Sequence, residues 1–140
     1  MDSVISSNES VCATARSSNL PWLPLAPKVW VMLVKTHPRS GAFTVIVRAE
    51  EGSVLPRHRH VESSELFIIR GAGLHPQAGH YTQGDFVTEP AGSFHDPIVF
   101  NVETELLMRS NGASIFLDDE GNVTSIMDLQ MLQQFGETKA

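Results

Sequence analysis

Eight short runs of β-forming residues, each closed off by turn-forming residues, constrain this 140-residue chain more than any other feature. The runs fall at 29–35, 42–49, 54–60, 65–70, 85–88, 98–100, 105–109 and 113–117 and are rich in Val, Ile, Leu and Phe. Between them lie Pro38-Arg39-Ser40-Gly41, Glu50-Glu51-Gly52, Gly71-Ala72-Gly73, Gln83-Gly84 and Asp118-Asp119-Glu120-Gly121-Asn122, whose Gly, Pro, Asp and Asn residues supply tight-turn dihedrals. Connections this short fold each run back beside the previous one. An all-β, single-domain antiparallel sandwich or barrel is therefore predicted.

The flanks differ in kind. Residues 1–19 are Ser- and Asn-rich without apolar periodicity and are expected to form a flexible N-terminal arm. Pro21, Pro24 and Pro27 then forbid a helix or a central strand, so an extended edge segment leads into a domain spanning 20–134, with 135–140 as a C-terminal tail. A short C-terminal helix is predicted where Ser125 caps and Ile126, Leu129, Leu132 and Gln133 recur along one face. The open-edged barrel and its proline-rich arm imply a homodimer formed through edge strands.

Composition excludes several function classes. The apolar runs at 29–34 and 66–69 fall far short of the roughly 20 residues a membrane helix requires, so no membrane association is expected. The first seven residues carry neither a basic nor an apolar leader region, which points to a cytoplasmic location. Cys12 is the sole cysteine, so no internal disulfide can form. A formal charge of −6 with scattered acids and bases argues against nucleic acid and leaves a small molecule as the expected ligand.

The chemistry concentrates on histidine. In His58-Arg59-His60 the residues i and i+2 project from one face of a strand, so the two imidazoles can converge on one ion while Arg59 points away. Neutral imidazole suits Fe, Zn, Cu or Ni rather than Mg or Ca, so a divalent transition metal is favoured. Gly52, Gly71 and Gly84 can adopt positive φ at the turns around this segment. Pro90 and Gly92 end a strand and turn it, which would set His95 opposite His58 and His60.

The spacings Gly52-x5-His58-x-His60-x4-Glu65-x5-Gly71 and Gly84-x5-Pro90-x-Gly92-x2-His95 closely resemble the two signature motifs of the cupin superfamily. The resemblance spans residues 20–134 and implies a cupin antiparallel β-barrel, a double-stranded β-helix or jelly roll, with His58, His60 and His95 as metal ligands. Trp22, the Glu89-to-His95 spacing and the stretch Phe116 to Val123 look more specifically like the small three-histidine cupin dioxygenases typified by acetylacetone dioxygenase and dihydroxyacetophenone dioxygenase, which are related to ChrR-type cupins. In that group Fe(II) on three histidines chelates a diketone or hydroxyketone, and dioxygen cleaves a carbon–carbon bond. The resemblance implies the same here, with Fe(II) favoured and Zn(II) or Ni(II) as alternatives.

Two acids are candidate catalytic residues. Glu65 shares a strand face with Phe67 and Ile69; facing inward, it would meet the metal, a histidine or a water. Glu89 either orients a ligand, acts as a general base or caps a turn. Phe67, Phe94, Trp30 and Met32 are candidate substrate-binding residues, whereas His75 and His80 are read as exposed loop histidines and His37 as a turn residue. Leu66 stands where acetylacetone dioxygenase has an aromatic residue, and no arginine occupies a matching inner position. These departures keep two other functions open: a cyclase or isomerase on a natural-product intermediate, and a zinc-binding ChrR-like sensor module.

Overall fold

The computed structural model describes residues 3–139. Among them run strands β1 (Ile5–Ser6), β2 (Leu23–Ala26), β3 (Val29–His37), β4 (Ala42–Ala49), β5 (Val54–Leu55), β6 (His58–His60), β7 (Ser64–Arg70), β8 (Ala72–His75), β9 (Gly79–Thr82), β10 (Phe86–Glu89), β11 (Phe94–His95), β12 (Ile98–Val99), β13 (Thr104–Ser110), β14 (Ser114–Leu117) and β15 (Val123–Met127), followed by helix α1 (Leu129–Lys139). The larger sheet has the order β1-β3-β4-β13-β7-β10, with β2 also on β3; the smaller has the order β11-β6-β14-β15. Short ladders join β5 to β12 and β8 to β9. Among the described residues only the β1–β3 pair is parallel.

The barrel follows from strict alternation. β13 buries Thr104, Leu106, Met108 and Ser110, and β7 buries Ser64, Leu66 and Ile68, while the intervening residues face outward. Opposite them, β6 and β14 bury His58, His60, Ser114 and Phe116. The inward faces of the two sheets therefore share one core, with Val45, Val47, Leu66, Ile68, Leu106, Met108 and Phe116 in a single cluster. This is the all-β barrel with a C-terminal helix that the turn pattern predicts.

Three local departures bear on the site. The run at 54–60 is broken because Pro56 has no N–H to give a ladder: β5 pairs with β12, whereas β6 pairs with β11 and β14. His58 and His60 are thereby carried into the smaller sheet. The stretch 71–84, expected as a loop, contains the β8–β9 hairpin. Finally, Ser125 lies in β15 rather than capping a helix, since it pairs with Phe116 of β14 between the β-branched Val123 and Ile126, which pair there too. Asp128 is the cap, its Oδ1 accepting from Met131 N at 2.8 Å. Leu129 and Leu132 of α1 reach the core.

At the other end β1 lies against β3, with Ser7 N donating to Thr36 O at 2.9 Å, so part of the expected arm is docked on the sheet. Met1 and Asp2 of that arm and Ala140 of the tail lie outside the described residues. No helix among the described residues is long and apolar enough to cross a membrane.

The turn between β10 and β11 is the critical connection. Gly92 adopts φ +77°, open to glycine at little cost. Its N–H donates to His60 O at 2.8 Å, and His60 N donates to Ser93 O at 2.9 Å. The Pro90–Gly92 turn is thus pinned to the strand that carries two of the three clustered histidines. Gly71 matters differently: at φ +102°, a Cβ there would lie 2.5 Å from Thr104 Oγ1 and 2.8 Å from Glu103 O. Gly71→Ala should therefore cost about 2 kcal/mol or more in urea unfolding, and Gly84→Ala, where φ is +89° but nothing lies within 4 Å, about 1 kcal/mol. Equal losses at the two positions would contradict this packing.

Candidate metal centre

His58, His60, Glu89 and His95 are buried together, with one potential ligand atom from each lying within 4.8 Å of all the others. Strand register brings them there. His95 pairs with His58 across β11–β6, and Ser64 pairs with Glu89 across β7–β10. The three imidazole centroids form a triangle with every side 5.0 Å. Rings whose nitrogens meet one ion at about 2.1 Å have centroids roughly this far apart.

The outer nitrogens decide which atoms face inward. His58 Nδ1 donates to Pro56 O at 2.9 Å, and His95 Nδ1 donates to Gln77 Oε1 at 3.1 Å, because a carbonyl oxygen can only accept. His60 Nδ1 lies 3.3 Å from Ser114 Oγ. Each ring therefore turns Nε2 toward the common centre. His60 Nε2 is buried and makes no hydrogen bond, although Glu89 Oε1 is 3.1 Å away. A buried orphan nitrogen is costly unless an ion satisfies it. The donor set could hold a divalent transition metal on His58, His60 and His95, with Glu89 as neighbour or fourth ligand.

Glu89 is the charged hub. Oε1 accepts from Ser64 Oγ at 2.6 Å, and Oε2 lies 2.8 Å from His75 Nε2 and 2.9 Å from His95 Nε2. Burial alone raises its pKa, but the His60, His75 and His95 rings packed against it outweigh that and hold the carboxyl below the usual carboxylate range. The cavity at this cluster is otherwise apolar, with walls that include Leu66, Ile68, Val87, Ile98, Leu106 and Phe116. Among the described residues no Lys or Arg lines it.

Several predicted positions move. Leu66 and Ile68 take the inward face of β7, so Glu65 and Phe67 share the outward face, both exposed, and Glu65 does not reach the cluster. Ser64 occupies the inward position and holds Glu89 from the adjacent strand. Trp30 faces away from the cavity and donates Nε1–H to Glu50 Oε2 at 2.7 Å. Met32 is buried, yet it sits on the parity opposite Val31 and Leu33 and does not line the cavity. Phe94, 43% exposed, packs beneath the Arg57 guanidinium, 5.8 Å away.

The largest revision is His75, which is buried at 3% exposure with its ring 4.7 Å from that of His95, while His80 is exposed. Ser64, His75, Gln77 and Ser114 all contact the cluster, yet no motif marks them. A signal for His75 and Gln77 does exist: Pro76-Gln77-Ala78-Gly79 separates two short strand-like segments, which is a hairpin pattern.

The ChrR cupin-like domain family matches residues 10–115, and the chain belongs to that family. Among curated proteins it is 27% identical over 97 residues to the acetylacetone-cleaving enzyme of Acinetobacter johnsonii, covering 65% of this chain and 63% of that protein. It is also 27% identical over 116 residues to the DNA damage-repair/toleration protein DRT102 of Arabidopsis thaliana, covering 79% of this chain and 36% of that protein. The chain thus spans less than two thirds of the length of either relative. In structure it resembles an acetylacetone dioxygenase from Acinetobacter johnsonii, with a TM-score of 0.83, 19% identity and 94% of each chain covered. That likeness establishes the cupin fold.

Burial, with some help from the His60 and His95 rings, pushes the His58 pKa from 6.5 down to about 4, against the Pro56 carbonyl and Glu89, which raise it. The unfolded chain therefore binds a proton below pH 6.5 that the folded, metal-free chain refuses until about pH 4. Stability should fall as pH drops through that window. Thermal melts of chelator-treated protein between pH 7.5 and 4 should show this fall, shallower in His58→Gln; identical slopes in the two proteins would contradict the assignment.

Proposed function

We propose that this cupin is an Fe(II)-dependent dioxygenase cleaving a carbon–carbon bond in a small, uncharged β-diketone or aryl hydroxyketone. The observation that carries this reading is the inward-turned group of three imidazole nitrogens beside one ionised carboxylate, opening on an apolar cavity. The sequence similarity to the acetylacetone-cleaving enzyme supports the same chemistry. Fe(II) is favoured, with Zn(II) or Ni(II) able to use the same donors.

Held by His58, His60 and His95, the ion would supply Lewis acidity toward a chelating enolate and redox access to dioxygen. Charge supports the match: a dication held by neutral imidazoles attracts a monoanionic enolate. Glu89, aligned by Ser64 and His75, is placed to accept the proton lost on enolisation. The apolar walls exclude water and favour small alkyl or aryl substituents. A substrate bearing a carboxylate or phosphate would find no Lys or Arg there among the described residues. The reaction balances as β-diketone plus dioxygen giving a carboxylic acid and a 2-oxoaldehyde.

A second reading follows from the family itself and from Glu89 as a fourth donor: a closed three-histidine, one-carboxylate site of the kind that holds structural zinc in a ChrR-like module. A cyclase or isomerase would use the same pocket without oxygen.

Oxygen uptake after anaerobic Fe(II) loading separates the three. Turnover of neutral diketones with one O2 consumed per substrate, abolished in His95→Ala and reduced about 100-fold or more in Glu89→Gln, is the expected result. Tightly held zinc with no turnover would favour the sensor, and product formed without oxygen the isomerase. The homodimer and cytoplasmic location remain part of this proposal, and native mass measurement tests the former.

A further inference from the structure

Gln77 and His75, which contact His95 and Glu89, come from one place, the tip of the β8–β9 hairpin. Asp96 is exposed and its carboxylate can only accept, so the amide N–H of Gln77 turns toward it, with Nε2 to Oδ2 at 3.1 Å. The amide oxygen is then left facing His95 Nδ1 at 3.1 Å. Because that oxygen also only accepts, Nδ1 carries the ring proton, which leaves Nε2, 2.9 Å from Glu89 Oε2, to offer its lone pair to an ion held between them.

The same tip fixes His75. The backbone N–H groups of Gln77 and Ala78 both donate to His75 Nδ1, at 3.2 and 3.0 Å. The ring proton is therefore on Nε2, aimed at Glu89 Oε2 at 2.8 Å. One four-residue turn thus governs the proton position on two imidazoles and, through them, half of the candidate donor set.

We propose that this hairpin tip is the positioning element of the metal centre: the Asp96–Gln77 pair selects the nitrogen of His95 that meets the ion, and His75 holds Glu89 in place. The inference rests on the metal-binding reading. Gln77 is exposed, so its substitution disturbs no packed core.

Co(II) titration of the chelator-treated full chain, followed by visible absorption and by competition for affinity, tests it. Gln77→Leu removes the acceptor and should weaken Co(II) binding about 10- to 100-fold and change the ligand-field spectrum. The pair Gln77→Glu with Asp96→Asn puts a stronger acceptor on His95 Nδ1 and keeps a donor beside it, and should bind Co(II) at least as tightly as the wild type. His75→Phe should alter the spectrum, and His75→Gln, which retains an N–H donor, should restore it. Equal weakening by both Gln77 changes, or wild-type affinity and spectrum in Gln77→Leu, would overturn the proposal while leaving the metal site standing. Failure of the wild-type chain to take up Co(II) would overturn the metal reading as well.

Discussion

Everything at the centre of this barrel depends on where three imidazole protons sit. A neutral imidazole has one donor nitrogen and one acceptor. Pro56 O and Gln77 Oε1 claim the Nδ1 protons of His58 and His95, and Ser114 Oγ sits beside His60 Nδ1. The acceptor sides are thereby directed to a shared point. The fold supplies this convergence through register: the Pro90–Gly92 turn, tied to His60 by two backbone hydrogen bonds, sets β11 against β6.

Glu89 gives the centre its asymmetry. Its one negative charge lies within a cavity that no Lys or Arg among the described residues lines, and a hydroxyl and imidazole groups surround it instead. The supporting residues come from different elements: Ser64 from β7, Ser114 from β14, and His75 with Gln77 from the β8–β9 hairpin. His60, Glu89 and His95 are each thereby held by a neighbour from another element.

Much of this was legible in the sequence, and the reasons for the rest are physical. His-x-His on a strand fixes two rings on one face, and the Pro-x-Gly turn before His95 explains the third. Strand phase in β7 was not legible, because Leu66, Phe67, Ile68 and Ile69 are apolar on both faces and alternation carries no signal there. A one-residue difference in parity sends Glu65 outward and Ser64 inward, leaving Glu89 to supply the carboxylate. The same parity explains Phe67. His75 was hidden by its glycine-rich surroundings, which read as loop although they fold into a hairpin aimed at the cluster. At the C-terminal end, pairing of β15 with β14 outweighed a weak helical periodicity, and Asp128 rather than Ser125 became the cap.

The central claim is that three Nε2 atoms from two strands meet one ion, and an anomalous-difference map from crystals grown with a divalent transition metal tests it most directly. The account predicts a single strong peak per chain about 2.0 to 2.3 Å from Nε2 of His58, His60 and His95. A peak bound elsewhere, or no peak at a fully ordered cluster, would contradict it.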